Sequence, residues 1–300
     1  MNQPASFPHY LQKRLPAIES ALERVLPPPQ APPALLHQAM RYSVFAGGKR
    51  VRPALLLLAG ETFGADASTL GEPAAALELI HTFSLIHDDL PALDDDDLRR
   101  GRPTLHKQYD EALAILAGDA LLDLGLEVLA RFPVDLAAER RLRNVVVVAQ
   151  AVGSHGMIGG QVADLEAERT WPDDPAATLA SIHQRKTGAL LRAALVAGGV
   201  CAGAGEPELA LLERLGDQVG MLFQIRDDIL DIEGTSESLG KTAGKDQAAD
   251  KLTYPRVYGL DGARQRLLET SLAAREAAAR LPGGGTAFLS LVDFLVQRQS

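Results

Sequence analysis

The chain has a single cysteine, Cys201, in 300 residues, so no disulfide can close within it, and no Cys/His cluster offers the ligand spacing of a zinc site. A reducing, cytoplasmic setting is expected. Positive charge is also short: 30 Lys and Arg against 39 Asp and Glu leave a net charge of -9, which argues against a nucleic-acid partner bound by phosphate neutralisation. The N-terminus, MNQPASFPHYLQKRL, lacks the apolar centre of a signal peptide. The longest uncharged run of small apolar residues, Ala193 to Gly205, is too short and too glycine-rich to span a bilayer, so no membrane span is expected. No polar linker divides the chain, and strand-like alternation bounded by turns is hard to find. These absences predict one all-α domain over residues 1–300.

Apolar residues, 46% of the chain, recur mostly at helical spacing. Helices are predicted from Pro4 to Val25, Ala34 to Phe45, Pro73 to Leu90, Tyr109 to Ala130, Asp135 to Ser154, Thr178 to Leu195, Glu206 to Glu233 and Ala287 to Arg298. The β-branched run Val145 to Val148 reads as buried helix, and Pro53 is placed to open a helix after Gly47 and Gly48. A Gly, Ser, Thr and Lys-rich stretch, Gly234 to Lys251, has the length of a lid.

Charge is concentrated in SLIHDDLPALDDDDLRRGRPT, which begins at Ser84. Asp88, Asp89 and Asp94 to Asp97 fall within ten residues and are followed by Arg99, Arg100 and Arg102. Two like charges about 4 Å apart at an effective dielectric of 20 repel by roughly 4 kcal/mol, so carboxylates converging in a cleft need cations among them. Oxygen ligands suit a hard divalent ion that shares substrate phosphate oxygens, and arginines beside it suit bidentate phosphate recognition. Alone, such a run reads as a solvated acidic loop. A second motif, FQIRDDILDIEG, puts Asp227 and Asp231 on one helical face with Gln224 and sets Asp228 beside them. Two such motifs suggest two walls of one cleft. His81, seven residues before Asp88, points along nearly the same face; Glu78 and His81 form an ExxH, yet no second ExxH completes a di-iron set. Pro91 disfavours further helix, so Asp94 is expected in a loop.

DDLPALD with DDLRRGRPT, QIRDDILD with LGKTAGKD, and GGKRVRP resemble, in that order of use, the two aspartate-rich motifs and the N-terminal signature of the trans-prenyl diphosphate synthases. The likeness runs from about residue 35 to the C-terminus and is greatest to the bacterial farnesyl diphosphate synthases. It implies a helical bundle around a central cavity, homodimerisation, and Mg²⁺, about three ions per site. The implied metal ligands are Asp88 and Asp94, with Asp89 in support, and Asp227, Asp228 and Asp231. Asp95, Asp96 and Asp97 are expected to be a solvated flank. Lys49, Arg52, His81 and Arg100 would bind isopentenyl diphosphate, and Arg99, Lys186, Lys241 and Lys251 the allylic diphosphate. Thr187, the Lys186 carbonyl and Gln224 would stabilise carbocation charge with aimed dipoles. In GMIGGQVADLEAE, Gly159 and Gly160 permit close packing, and Gln161 and Asp164 are candidates to face the cleft.

The activity implied is condensation of isopentenyl diphosphate with dimethylallyl and geranyl diphosphate to farnesyl diphosphate. Phe83, five residues or about 7.5 Å below Asp88 on the helix, is by resemblance the aromatic that stops elongation at fifteen carbons, although helical angle alone aligns Ser84 better with Asp88. Geranylgeranyl diphosphate synthase, a class I terpene cyclase, a noncatalytic partner subunit and an unrelated helical scaffold with acidic loops remain the alternatives.

Overall fold

The computed structural model describes residues 6–233 and 251–298. Helix dominates throughout. The order is α1 (Phe7–Val25), α2 (Ala34–Val44), α3 (Val51–Thr62), α4 (Gly71–Asp88), a short α5 (Leu105–Gln108), α6 (Glu111–Arg131), α7 (Ala138–Val152), α8 (Met157–Arg169), α9 (Pro175–His183), α10 (Ala189–Ala202), α11 (Glu206–Glu233), α12 (Tyr254–Ala279) and α13 (Thr286–Gln297). Among the described residues the extended pairing is one two-residue hairpin, Leu98–Arg99 with Arg102–Pro103. Its turn has Arg100 at φ 54° and Gly101 at φ 75°, the left-handed pair that closes a tight hairpin.

Burial follows the apolar pattern. Helices α3, α4 and α10 are apolar on nearly every side, as central helices of a bundle must be. From Ala74 to Ile80, every residue of α4 is buried. The others cover them with one face each. The sequence places most boundaries within a few residues, with three corrections. Helix α4 starts at Gly71 and ends at Asp88, short of Leu90, because Pro91 restricts the backbone before it. The expected helix Thr178 to Leu195 is instead α9, a π-turn over Gln184–Gly188, and α10, together reaching Ala202. In the Val145 to Val148 run the helix is as expected, yet Val148 is buried and Val146 is 45% exposed, since successive residues turn by about 100°.

Arg50 ties three helices together from the glycine turn between α2 and α3. Its guanidinium, 2% exposed with the residue, donates to Glu19 at 2.7 Å, Glu78 at 2.8 Å and the Val44 carbonyl at 2.8 Å. Glu78 therefore balances a buried arginine. Removing either partner of such a buried pair costs about 3–5 kcal/mol.

Residues 138–169 form the one stretch among those described that is apolar and long enough by composition to cross a membrane. The helix breaks within it, so α7 has 15 residues and α8 has 13, each below the roughly 20 that a span needs.

Candidate active site

Asp88 ends α4, and the chain beyond it folds back on that helix end. The Asp94 amide donates to the Asp88 carbonyl at 2.9 Å and the Asp96 amide to the Asp89 carbonyl at 3.2 Å. This return brings Asp94 beside Asp88 without helical spacing. Asp89 turns inward, 3% exposed, and accepts two hydrogen bonds from Arg99, the Nε one at 2.8 Å. Arg99 also reaches Asp96 at 3.3 Å. Asp96, expected as solvated flank, is half-buried and lines the cleft, because the loop's return turns it toward Arg99. Asp95 and Asp97 are exposed as expected, with Asp97 paired to Lys107.

The facing wall is α11 with the π-turn. Thr187 Oγ1 donates to Gln224 Oε1 at 2.9 Å, and Gln224 Nε2 donates to Asp228 Oδ1 at 2.9 Å. The Tyr254 amide donates to Asp228 Oδ2, also at 2.9 Å. A hydroxyl, an amide and a carboxylate are thus fixed in series. His183 Nε2 is 3.9 Å from Asp228, but burial pushes its pKa down to about 3, leaving a neutral ring. Asp227 accepts from Arg298 at 3.2 Å; that arginine lies over the Phe223 ring, 4.1 Å from its centroid, and donates to the Phe223 carbonyl. Asp231 is buried below Asp228, in an adjoining pocket that Lys251 shares.

Between the walls is a cavity of about 220 Å³. Asp88, Asp94, Asp96 and Arg99 of the first motif line it together with Asp164, Lys186, Thr187, Gln224, Asp227, Asp228 and Lys251. Lys186 Nζ meets Asp164 Oδ2 at 2.6 Å, and Lys251 Nζ meets Asp94 Oδ1 at 3.2 Å and Glu168 at 3.8 Å. Cations already sit among the carboxylates. Even so, burial raises Asp88 to about 6; Lys186 and Arg99 oppose the rise, and Asp94 and Asp89 add to it.

A second positive cluster lies where the GGKRVRP turn meets α4 and the hairpin. Arg100 donates to the Gly47 carbonyl and covers Gly48, where a Cβ would stand 2.5 Å from Arg100 Nη1. Arg52 is pushed down to about 10, first by burial and then by Arg100, against the pull of Glu78. His81 is pushed well below its ordinary value by burial, then by Arg52, Arg100, Arg99 and Arg50. Arg52 Nε and His81 Nδ1 are buried without a hydrogen-bond partner, while Lys49 is exposed on the turn. Convergent donors of this kind suit an anion.

The profile of the polyprenyl synthetase family matches residues 33–281. The chain belongs to that family. Similar proteins include a dimethylallyltranstransferase of Fischerella ambigua, 44% identical over 98% of this chain and 84% of its own length. A chloroplastic geranylgeranyl pyrophosphate synthase of Arabidopsis thaliana is 47% identical over 92% of this chain and 76% of its own. The crystal structure of an FPP/GFPP synthase from Zymomonas mobilis superposes with TM-score 0.85 at 32% identity, covering 97% of this chain and 98% of that one. A geranyltransferase from Legionella pneumophila gives 0.83 at 33% identity, with 96% of each chain covered. The fold is that of the isoprenoid synthases, and the family's members are prenyltransferases.

In this polyprenyl synthetase, Phe83 and Ser84 do not line the cavity between the aspartate walls. Phe83 is buried with its ring T-shaped against His87, and Ser84 Oγ donates to the His81 carbonyl at 2.8 Å. Lys241 and the expected lid over 234–250 lie outside the described residues. Lys186 owes its position to the π-turn, and α8 abuts that turn: a Cβ on Gly160 would stand 2.3 Å from the Lys186 amide nitrogen. Asp164 does face the cleft, whereas Gln161 is half-buried with its Oε1 unpartnered. Arg298, Glu168 and His183 were not legible beforehand, since each meets the site through a contact distant in sequence.

The oxygen-only donor set fits a hard divalent cation. No group of three or more acidic, His or Cys side chains among the described residues already converges on one point. Arginine or lysine instead holds Asp89, Asp94, Asp96, Asp164 and Asp227, and Asp228 is held by Gln224 and the Tyr254 amide.

Proposed function

We propose that this polyprenyl synthetase joins isopentenyl diphosphate to dimethylallyl and then geranyl diphosphate, head to tail, and releases farnesyl diphosphate. The observation that carries this is the pair of aspartate walls facing one cleft, with Lys186, Thr187, Gln224 and Asp228 lining it from the α11 and π-turn side. Lys186, Arg99 and Lys251 orient the allylic diphosphate, and Lys241 joins them. Mg²⁺, about three ions, would be held by Asp88 and Asp94 and by Asp227, Asp228 and Asp231, and supplies Lewis-acid neutralisation of the leaving diphosphate. Asp89 serves by fixing Arg99. As the allylic C–O bond breaks, the Thr187 hydroxyl oxygen, the Gln224 amide oxygen and the Lys186 carbonyl stabilise positive charge on the allylic carbon. Arg52, Arg100, Lys49 and neutral His81 hold isopentenyl diphosphate so that its double bond attacks that carbon. The proton then lost goes to the released pyrophosphate, and no protein nucleophile is needed.

The fifteen-carbon product rests on Phe83 as the stop, with Ser84 beside it. A second reading, geranylgeranyl diphosphate synthase, is favoured by the several geranylgeranyl pyrophosphate synthases among its relatives, the Arabidopsis thaliana protein included. One catalytic domain over residues 1–300 and a homodimer complete the proposal, supported by the continuous buried core and by apolar residues exposed on α6 and α7. The buried single cysteine agrees with a reducing, cytoplasmic setting. Asp88→Ala and Asp227→Ala test the central assignment. Each is expected to lower turnover by at least about 10²-fold with the circular dichroism spectrum kept. Near-normal turnover in both would reject it.

A further inference from the structure

The stop residue does not stand alone on α4. Phe83 is 6% exposed and meets the His87 ring, one turn above it, edge-on at 4.8 Å between centroids and 73° between planes. His87 is held in turn by α6, where its Nε2 lies 3.1 Å from the Ile115 carbonyl. The ring has room only because residue 118 is glycine. A Cβ there would stand 2.3 Å from His87 Nε2 and 2.5 Å from its Cδ2. Gly125, seven residues further along the same face of α6, makes a similar allowance for Ile80 on α4. The seam between the helices is therefore filled at the level of His87, whose ring sits on Gly118 and carries the Phe83 ring one turn below.

We infer that His87 and Gly118 are specificity-positioning residues: they hold the Phe83 ring in the orientation that ends chain growth, and so help set product length. This rests on Phe83 being the stop. Neither residue needs to touch the substrate, because each acts through the Phe83 ring. Gly118→Ala should displace the histidine ring, the far end of a side chain, from the Ile115 carbonyl and so from its place against Phe83. His87→Leu removes both the ring edge and the link to Ile115 while keeping an apolar side chain.

The test compares products of the wild type, Gly118→Ala, His87→Leu, Phe83→Ala and the double variant Phe83→Ala/His87→Leu. Each is incubated with isopentenyl and dimethylallyl diphosphates and Mg²⁺, and folding is checked by melting temperature. Gly118→Ala and His87→Leu are each expected to raise the ratio of the next longer product to the wild-type product by about tenfold, with the first condensation rate kept. In the Phe83→Ala background, His87→Leu should add nothing, because the ring it positions is gone. Wild-type products from both single variants, alongside longer products from Phe83→Ala, would overturn the inference and spare the stop. An unchanged product from folded Phe83→Ala would overturn both.

Discussion

At Asp88, burial and the carboxylates of Asp94 and Asp89 outweigh Lys186 and Arg99, and the carboxyl rises from 3.8 to about 6. A folded-state value above the unfolded one means that the folded chain binds the extra proton between these two values. Stability is therefore lost as pH rises from about 4 through 6, and the charged form is a cost at neutral pH. Asp88→Asn should raise the metal-free protein's unfolding free energy at pH 7.5 by about 1–3 kcal/mol in urea titrations. The gain should shrink toward zero near pH 4, while turnover falls by at least about 10²-fold at any pH. The aspartates were legible in sequence because two dense acidic motifs with Arg and Gln neighbours are rare local patterns. Arg298 was not, since it meets Asp227 from 71 positions away and leaves no spacing to read. Asp96 departs from the expected solvated flank for a different, local reason: its direction is set by the loop's return onto α4, not by composition.

Among the elements, the π-turn at Gln184–Gly188 does most to aim side chains. Its residues carry no local signal for a wide turn, and the sequence reads there as ordinary helix. Tertiary packing decides: α8 approaches at Gly160, and α11 at Gly220, where a Cβ would stand 2.6 Å from Gly188 Cα. These neighbours are backbone and cannot swing aside. Gly160→Ala is thus expected to cost about 1–3 kcal/mol of stability and to move Lys186 off Asp164. Steady-state kinetics should show a higher KM for the allylic substrate and a lower kcat, where a purely structural role would leave the kinetics of the folded enzyme unchanged. The hairpin after the first motif was also missed, although Arg100-Gly101 has the glycine that such a turn requires.

For the molecule as a whole, helical periodicity and the scarcity of strand alternation were enough to give the fold class, because a bundle's core is written in local spacing. Surface apolar residues say more about assembly. Ile115 and Leu116 on α6 are 44% and 57% exposed, and Leu142 and Val146 on α7 are 64% and 45% exposed. Such residues on two adjoining helices suit a subunit interface. Light scattering of the wild type should give twice the 32.0 kDa chain mass, and Leu142→Glu with Val146→Glu should shift it toward the monomer. A monomeric wild type would remove the dimer from the proposal.

The most direct measurement incubates the purified chain with isopentenyl diphosphate, Mg²⁺ and either dimethylallyl or geranyl diphosphate, then identifies the dephosphorylated products by chromatography. Farnesol from both allylic substrates is the predicted result. Geranylgeraniol as the main product would keep the prenyl transfer and contradict Phe83 as the fifteen-carbon stop. No prenyl product from folded protein would contradict the synthase assignment itself.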